Sequence, residues 1–175
     1  GNFPGRRNQE ITWGVSYRRI QDEIDNSFTV SFIPTSRSLN LYTAFIQDEL
    51  DIGSHLKLTA GSKVEHNDYT GFEIQPSIRL AWLPDENHTI WGAVSRAVRT
   101  PSRADSDIRL NIAAFSSPFV DPDGPGPLPP GTPTLVSIVG ANELNAENLL
   151  AFELGYRGQL NPALTLDMSV FYNEY

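Results

Sequence analysis

The three histidines are the side chains best able to bind a metal or transfer a proton in this chain, which contains no cysteine. His55, His66 and His88 show no His-x-x-x-His or Glu-x-x-His spacing, so we interpret them as solvated turn and strand-end residues. Neither a Gly-x-Ser-x-Gly motif nor a phosphate-binding glycine loop occurs. We therefore predict no catalytic residue, no metal site, no cofactor and no enzymatic activity. Calcium on the loop carboxylates Asp121 and Asp123 is the less favoured alternative.

Charged side chains that recur on one side of otherwise apolar segments are more informative. If these segments are strands that cross a bilayer, the charges must face water or polar protein, because a Lys or Arg at the bilayer midplane costs about 2 to 4 kcal/mol. One hypothesis is that they hold a polar protein segment or guide a substrate. The favoured alternative is a distributed ion-pair network with no single decisive residue. The residues are Lys57, Lys63, Glu65, Glu73, Arg79, Glu153, Arg157 and Asp167.

The elements that carry these charges have a hydrophobic period of two, which is typical of strands with one apolar and one polar side. Near the end, for example, Leu166, Met168 and Val170 alternate with polar residues. Seven strands are predicted, at about 11–18, 39–52, 56–65, 73–82, 89–99, 152–160 and 164–173. Many exceed the five or six residues usual in soluble proteins. Eleven residues at a tilt near 40° span roughly 25 to 28 Å, which suits a membrane.

The predicted connections alternate strictly between long and short. Long or medium gaps at about 20–38, 66–72 and 101–148 alternate with turns at 53–55, 84–88 and 161–163. This order is typical of outer-membrane barrels, which have short periplasmic turns and long extracellular loops. The Pro- and Gly-rich residues 118–133 predict a surface loop.

Single residues add detail to the strand prediction. Trp82 and Trp91 flank one tight turn, where an interfacial aromatic girdle should lie, although a buried aromatic pair would give the same pattern. Pro76 lies within a strand pattern and predicts a local irregularity, because proline cannot donate a ladder hydrogen bond.

Composition excludes several classes of function. The chain has 175 residues, a net charge of -8 and a sequence pI of about 4.8, which argue against nucleic acid as a partner. No window approaches the 18 apolar residues of a membrane helix, and the mean hydropathy of -0.29 is compatible with barrel strands, whose faces alternate. Both ends of the chain are expected to be cuts through a longer protein.

Several segments, in this order, resemble consecutive barrel strands of TonB-dependent outer-membrane receptors. The first three are Ala-Phe-Ile-Gln-Asp-Glu at 44–49, Leu-Thr-Ala-Gly-Ser-Lys at 58–63 and Pro-Ser-Ile-Arg-Leu-Ala-Trp at 76–82. More specific are Ser-Arg-Ala-Val-Arg-Thr-Pro-Ser at 95–102, Asn-Glu-Leu-Asn-Ala-Glu at 142–147 and Phe-Glu-Leu-Gly-Tyr at 152–156. The resemblance covers about residues 10 to 175, although Val98 stands where the family often has an aromatic residue.

The resemblance implies an all-β fold, namely an antiparallel transmembrane β-barrel segment in which residues 1–175 form part of one barrel domain. It also implies a plug domain in the same full-length chain, which the charged strand residues would contact. Further implied partners are the TonB complex, outer-membrane lipid and a ferric siderophore or similar ligand. The resemblance also implies that aromatic residues of the loops bind the ligand. In this sequence those residues are Tyr69, Phe72, Phe115 and Phe119.

About seven strands cannot close a barrel of roughly 22, so the barrel is expected to be incomplete in this chain. The plug, the TonB-contacting segment and the closing strand are not found in these residues. The implied function is energised import of a scarce, bulky nutrient across the bacterial outer membrane, with cobalamin or sugar as substrates that remain open. A passive porin or structural barrel and a soluble β-sandwich binding module are the alternatives.

Overall fold

The computed structural model describes residues 2–4, 8–116, 133–141 and 144–175, with only the backbone described at 2–4, 115 and 116. The chain divides into two compact units. The sheet unit comprises Gly1–Arg19, Leu39–Thr100 and Asn145–Tyr175, and the loop unit comprises Ile20–Ser38 and Pro101–Leu144. None of the helices in the described ranges has the length and apolar character needed to cross a membrane.

The sheet unit contains an eight-stranded antiparallel sheet in the order β1-β2-β4-β5-β6-β7-β10-β11. Its strands are β1 (Asn2–Pro4), β2 (Gln9–Glu23), β4 (Ser36–Ile52), β5 (Leu56–Asn67), β6 (Gly71–Asp85), β7 (His88–Arg99), β10 (Glu147–Asn161) and β11 (Leu164–Glu174). The seven long strands confirm the seven predicted from periodicity, and several extend further. Within the described residues β1 and β11 are unpaired edges, so the barrel is not closed in this chain.

Strand register separates the two faces of this sheet. Leu80 lies opposite Leu58 and Gly92, and Leu154 lies opposite Gly92 and Val170, so an apolar row crosses five strands. The adjacent row contains Arg79 and Glu153 and points to the other side, because successive side chains in a strand alternate. We call these sides the apolar face and the charged face.

The apolar face is uncovered. Leu80, Leu154 and Val170 are 47%, 55% and 66% exposed, and Ala151 is the one buried hydrophobic residue in the described part of the chain. A soluble sandwich would bury such a face against a second sheet. The fold therefore does not favour the sandwich alternative.

The two tryptophans lie on opposite faces. Trp82 pairs with Ile90 and is 48% exposed on the apolar face, whereas Trp91 pairs with Ala81 on the charged face. The predicted girdle is therefore wrong for Trp91. A register shift between Trp82 and Asp85 sets this hairpin, and such a shift is not visible in a sequence pattern.

The connections agree with the prediction except at one place. Turns follow Ile52, Asp85 and Asn161, as expected. Between β5 and β6, however, only residues 68–70 intervene, so the prediction of a medium loop is wrong. The side-chain oxygen of Asn67 accepts the N–H groups of Tyr69 at 2.9 Å and Thr70 at 2.8 Å, which closes a tight Asx-type turn.

The loop unit is more ordered than the sequence predicted. It contains β3 (Val30–Phe32), α1 (Arg103–Asp107), β8 (Ile108–Ser116) and β9 (Pro133–Val139), and its sheet has the order β3-β8-β9. The prediction of one long loop over 101–148 is therefore wrong for these elements. Residues 118–132 of the predicted Pro- and Gly-rich loop, including Asp121 and Asp123, lie outside the described residues.

The irregularity expected at Pro76 is present. The ladder between β6 and β7 covers Ser77 to Asp85, whereas β6 remains paired with β5 as far as Gly71. In the unpaired stretch the Arg96 guanidinium donates to the Ile74 carbonyl oxygen and to the Asn148 side chain. It also pairs with Glu73, with 3.4 Å between Nη2 and Oε2. A side chain thus replaces the missing ladder bonds.

We predict that Arg96→Ala in the full-length protein accelerates amide exchange in residues 71–75 by about tenfold, because a charge-assisted hydrogen bond contributes roughly 1.5 kcal/mol. Hydrogen-exchange mass spectrometry measures this. Arg99→Ala is the matched control, since both partners of the Arg99–Glu147 pair are 66% exposed. Equal exchange in the two variants would contradict the prediction.

Candidate functional site

The charged face of the sheet unit carries all eight strand charges singled out in the sequence. Glu65 lies opposite Glu73, and Arg157 lies opposite Asp167, on the same side as Arg79. Contact of these residues with a lumen or a plug stays a prediction, but their common face is the arrangement that such contact requires.

Most of these charges are already paired. Lys57 Nζ lies 3.2 Å from Asp51 and 3.5 Å from Glu49, and Lys63 Nζ lies 2.8 Å from Glu65. Arg157 donates to Asp167 from Nε at 2.8 Å and from Nη2 at 2.5 Å. The exposed pairs of Lys57 and Arg157 contribute about 0 to 1 kcal/mol each, whereas the Glu65 side chain is only 11% exposed. Whether they belong to a lumen-wide network stays a prediction. The two remaining charges, Arg79 and Glu153, form no ion pair with a described residue, and the Arg79 guanidinium carbon lies 5.2 Å from the ring centroid of Trp91.

The predicted ligand-binding aromatics are not brought together by the described residues. Tyr69 lies half-buried in the tight turn after β5. Phe72 lies in β6, not in a loop, so its predicted position is wrong. Of Phe115 only the backbone is described, within β8, and Phe119 lies outside the described residues. Ligand contact by these aromatics stays a prediction.

Phe72 belongs to an aromatic row on the apolar face. It is 75% exposed and meets His66 edge-on with 4.5 Å between ring centroids. The row continues to Tyr42, 6.2 Å from His66, and to Tyr17, 5.0 Å from Tyr42. His66 and Phe72 pair with each other on either side of the tight turn, so both rings lie on this face. A belt of aromatics at this level is typical of a membrane interface.

The other two histidines have local partners. His55 Nδ1 lies 2.6 Å from the Ser54 hydroxyl oxygen, and His88 Nδ1 lies 2.8 Å from the Tyr156 hydroxyl oxygen. Among the residues that the structure describes, no group of three or more His, Asp or Glu side chains is placed to hold a metal ion.

The loop unit contains a buried ionic site that the sequence analysis missed. The Arg103 side chain is 9% exposed and donates to the Asp22 carboxylate and the Pro34 carbonyl oxygen. It also contacts Asp107, with 3.3 Å between Nε and Oδ2, and lies 5.4 Å from the ring centroid of Phe32. We call Asp22, Arg37, Arg103 and Asp107 the arginine cluster. It ties three elements together, namely the end of β2, the start of β4 and α1.

Helix α1 positions two members of the arginine cluster. Ser102 caps the helix, its hydroxyl oxygen accepting the Asp105 N–H, while the Asp105 carboxylate accepts the Ser102 N–H at 2.8 Å. This reciprocal capping box aligns the first turn, so that Arg103 and Asp107, four residues apart, contact each other. The Ser-x-x-Asp spacing at 102–105 was the sequence signal that could have predicted this helix start.

Asp107 is ionised more readily than an ordinary aspartate. It is 8% exposed, and this burial by itself raises its pKa, but hydrogen bonds from Arg37, Ser106 and Arg103 outweigh it and hold the pKa below the usual 3.8. The Arg37 guanidinium lies 2.5 Å from Asp107 Oδ1. The folded unit therefore stabilises the charged carboxylate.

Comparison with known families decides the identity. The family model described as "TonB dependent receptor-like, beta-barrel" matches residues 1–175. The chain belongs to this family. A comparison with curated proteins finds no match.

Solved siderophore receptors have a similar fold. The siderophore receptor PirA of Pseudomonas aeruginosa is 18% identical, with a TM-score of 0.75 over 98% of this chain and 30% of its own. PirA of Acinetobacter baumannii is 14% identical, with a TM-score of 0.73 over 98% and 25%. The ferric enterobactin receptor PfeA of P. aeruginosa, in a variant bound to enterobactin, is 22% identical, with a TM-score of 0.75 over 98% and 25%. At these identities the likeness supports the fold, and this chain spans a quarter to 30% of each receptor.

We predict that Arg103→Gln in the full-length TonB-dependent receptor destabilises the loop unit by roughly 1.5 to 3 kcal/mol, because it removes charge-assisted hydrogen bonds to Asp22, to Asp107 and to the Pro34 carbonyl oxygen. Amide exchange in Val30–Phe32 and in residues 108–111 should rise. The control is Arg109→Gln, whose side chain is exposed. Unchanged amide exchange in these two segments of the Arg103 variant would refute the prediction.

A pH dependence follows from Asp107. Because its folded pKa is lowered, its stabilising contribution is complete above the usual carboxyl value of 3.8 and is lost as the pH falls below that value. Exchange in the loop unit, corrected for intrinsic rates, should therefore stay constant down to about pH 4 and rise as the pH falls further toward the lowered folded pKa. Asp107→Asn should make this rise smaller. A rise of equal size in the variant would argue against Asp107 as its source.

Proposed function

We propose that this chain is part of the barrel of an outer-membrane receptor that imports a scarce, bulky nutrient, with a ferric siderophore as the leading substrate. The observation that carries the proposal is the match of the receptor-barrel family to all 175 residues. The sheet unit supports the proposal independently. Its apolar face is exposed and its opposite face is charged, which is the arrangement of a barrel wall with lipid on one side.

The proposed partners follow from this arrangement. Outer-membrane lipid covers the apolar face and the aromatic row, and a plug domain of the same full-length chain contacts the charged face. The plug couples the receptor to TonB, which supplies the energy for import. Because the chemistry is transport, the protein releases its ligand unmodified and is not an enzyme.

The siderophore class rests on the structural neighbours. PirA is a siderophore receptor, and PfeA is a ferric enterobactin receptor. Tyr69, Phe115 and Phe119 are the proposed ligand contacts within this chain, since aromatic side chains offer contact area at a low entropy cost.

The test is uptake by whole cells that carry the full-length receptor under iron limitation. Radiolabelled ferric enterobactin is the first probe, followed by other ferric siderophores, cobalamin and maltose. We expect accumulation of one iron chelate that disappears when tonB is deleted or the proton gradient is collapsed. A receptor variant without its TonB-contacting segment is the matched control and should bind the chelate without accumulating it.

Two results would overturn the proposal. Uptake that persists without TonB and without a proton gradient would indicate a passive porin. Accumulation of cobalamin or maltose, with no iron chelate taken up, would replace the siderophore as the substrate class while leaving energised import in place.

A further inference from the structure

The apolar row that crosses the sheet has a gap at Gly92. Gly92 pairs with Leu80 on one side and with Leu154 on the other, so two large side chains flank a position that has none. Two strand spacings, roughly 10 Å, separate the backbones of the two leucines. A cavity of about 540 Å³ lies over this gap, and Ile90 and Val94 also line it. We call this cavity the Gly92 groove.

Gly92 differs from the other glycines inside the long strands, because the chain does not use the space that it leaves. An added Cβ would collide with protein atoms at Gly14, Gly61, Gly155 and Gly158. At Gly92 the nearest described atom is the Glu153 carbonyl oxygen, at an ordinary contact distance of 3.6 Å from the Cβ position. A glycine inside a strand weakens the strand and often marks the close approach of a ligand. The Gly92 groove is therefore open to an external apolar group.

A second apolar cavity, of about 310 Å³, adjoins the Gly92 groove. Its lining includes Met168 and Val170 of β11, while Ile90 and Leu154 line both cavities. These two shared side chains form a wall between cavities that lie side by side on the apolar face. Two neighbouring cavities of this kind match the two hydrocarbon chains of a diacyl lipid.

A polar pair lies on the same face where β7 begins. His88 precedes Gly92 by four residues, about 13 Å along the strand, and the even spacing places both on one face. Its Nδ1 lies 2.8 Å from the Tyr156 hydroxyl oxygen, and both side chains are half-buried. When this hydroxyl donates to Nδ1, the neutral imidazole carries its proton on Nε2 and can donate to a phosphate or ester oxygen. The apolar cavities thus have a hydrogen-bonding group at one end.

We propose that the apolar face of β6, β7, β10 and β11 binds one diacyl glycerophospholipid, with an acyl chain in the Gly92 groove and the headgroup beside His88. The inference rests on the proposed function, which places this face in the outer membrane. His88 follows a short turn, and outer-membrane barrels have their short turns on the periplasmic side. The periplasmic leaflet contains phospholipid, whereas lipopolysaccharide occupies the outer leaflet. The bound lipid is therefore a phospholipid.

The experiment titrates the full-length receptor in detergent with dioleoyl phosphatidylethanolamine and counts bound lipid by native mass spectrometry. We expect one tightly bound lipid in the wild type and about tenfold weaker binding in Gly92→Leu, since this factor corresponds to about two displaced methylene groups. Gly92→Ala should weaken binding less, because alanine fills less of the groove. Ala44→Leu is the matched control, since Ala44 pairs with Val64 on the same face and lies outside both cavities.

Loss of lipid through misfolding is separated by thermal unfolding. The space at Gly92 accepts a Cβ without collision, so the unfolding temperature of Gly92→Leu in lipid-free detergent should equal or exceed that of the wild type.

The headgroup contact is tested with dioleoylglycerol, which has the same chains and no phosphate. The wild type should bind phosphatidylethanolamine several-fold more tightly than dioleoylglycerol, and His88→Leu should abolish this difference. His55→Leu is the control, because His55 lies in another short turn and contacts Ser54. It should keep the wild-type preference.

Three outcomes would overturn the lipid site: a wild type that retains no phosphatidylethanolamine, an equal loss of affinity in Gly92→Leu and Ala44→Leu, or preferential binding of lipopolysaccharide. Nutrient uptake is measured separately. Normal TonB-dependent uptake without a Gly92-dependent lipid refutes only the lipid site, whereas a Gly92-dependent lipid in a receptor that imports nothing refutes only the proposed function.

Discussion

Backbone pairing between long neighbouring strands is the constraint on which the rest of the structure depends. Each rung of the ladder places paired side chains on the same face, so the row from Leu58 to Val170 is apolar and the next row, with Arg79 and Glu153, is charged. A slip of one residue would move charges to the apolar face at about 2 to 4 kcal/mol for each midplane Lys or Arg. The face pattern and the ladder therefore stabilise the same register.

Where the ladder is interrupted, side chains replace it. Pro76 ends the pairing of β6 with β7, and Arg96 supplies a donor to the Ile74 carbonyl oxygen. In the loop unit, where strands are short, the arginine cluster performs the equivalent task through buried charge-assisted bonds. Both solutions use arginine, because its several donors reach carbonyl and carboxylate oxygens at once.

The strand alternation and lengths predicted seven long strands and the common face of eight charges, because a period of two is a local property of the chain. The same pattern could not place Trp91, whose face depends on a register shift in the β6–β7 hairpin. It also could not show that Phe72 lies in a strand, since that position depends on the Asx-type turn made by Asn67. Ile108, Leu110 and Ile112 do alternate in the sequence and could have predicted β8.

The sequence by itself determined the family, the all-β class, the seven strands and the division of most side chains between two faces, because these follow from local periodicity and motif order. Only the tertiary structure decided the arginine cluster, the three-stranded sheet of the loop unit and the contact of Arg79 with the Trp91 ring. These depend on which distant residues become neighbours, as when Ser31 pairs with Arg109 across the chain. Such pairings are selected by the energy of the whole fold and leave no repeating pattern in either segment.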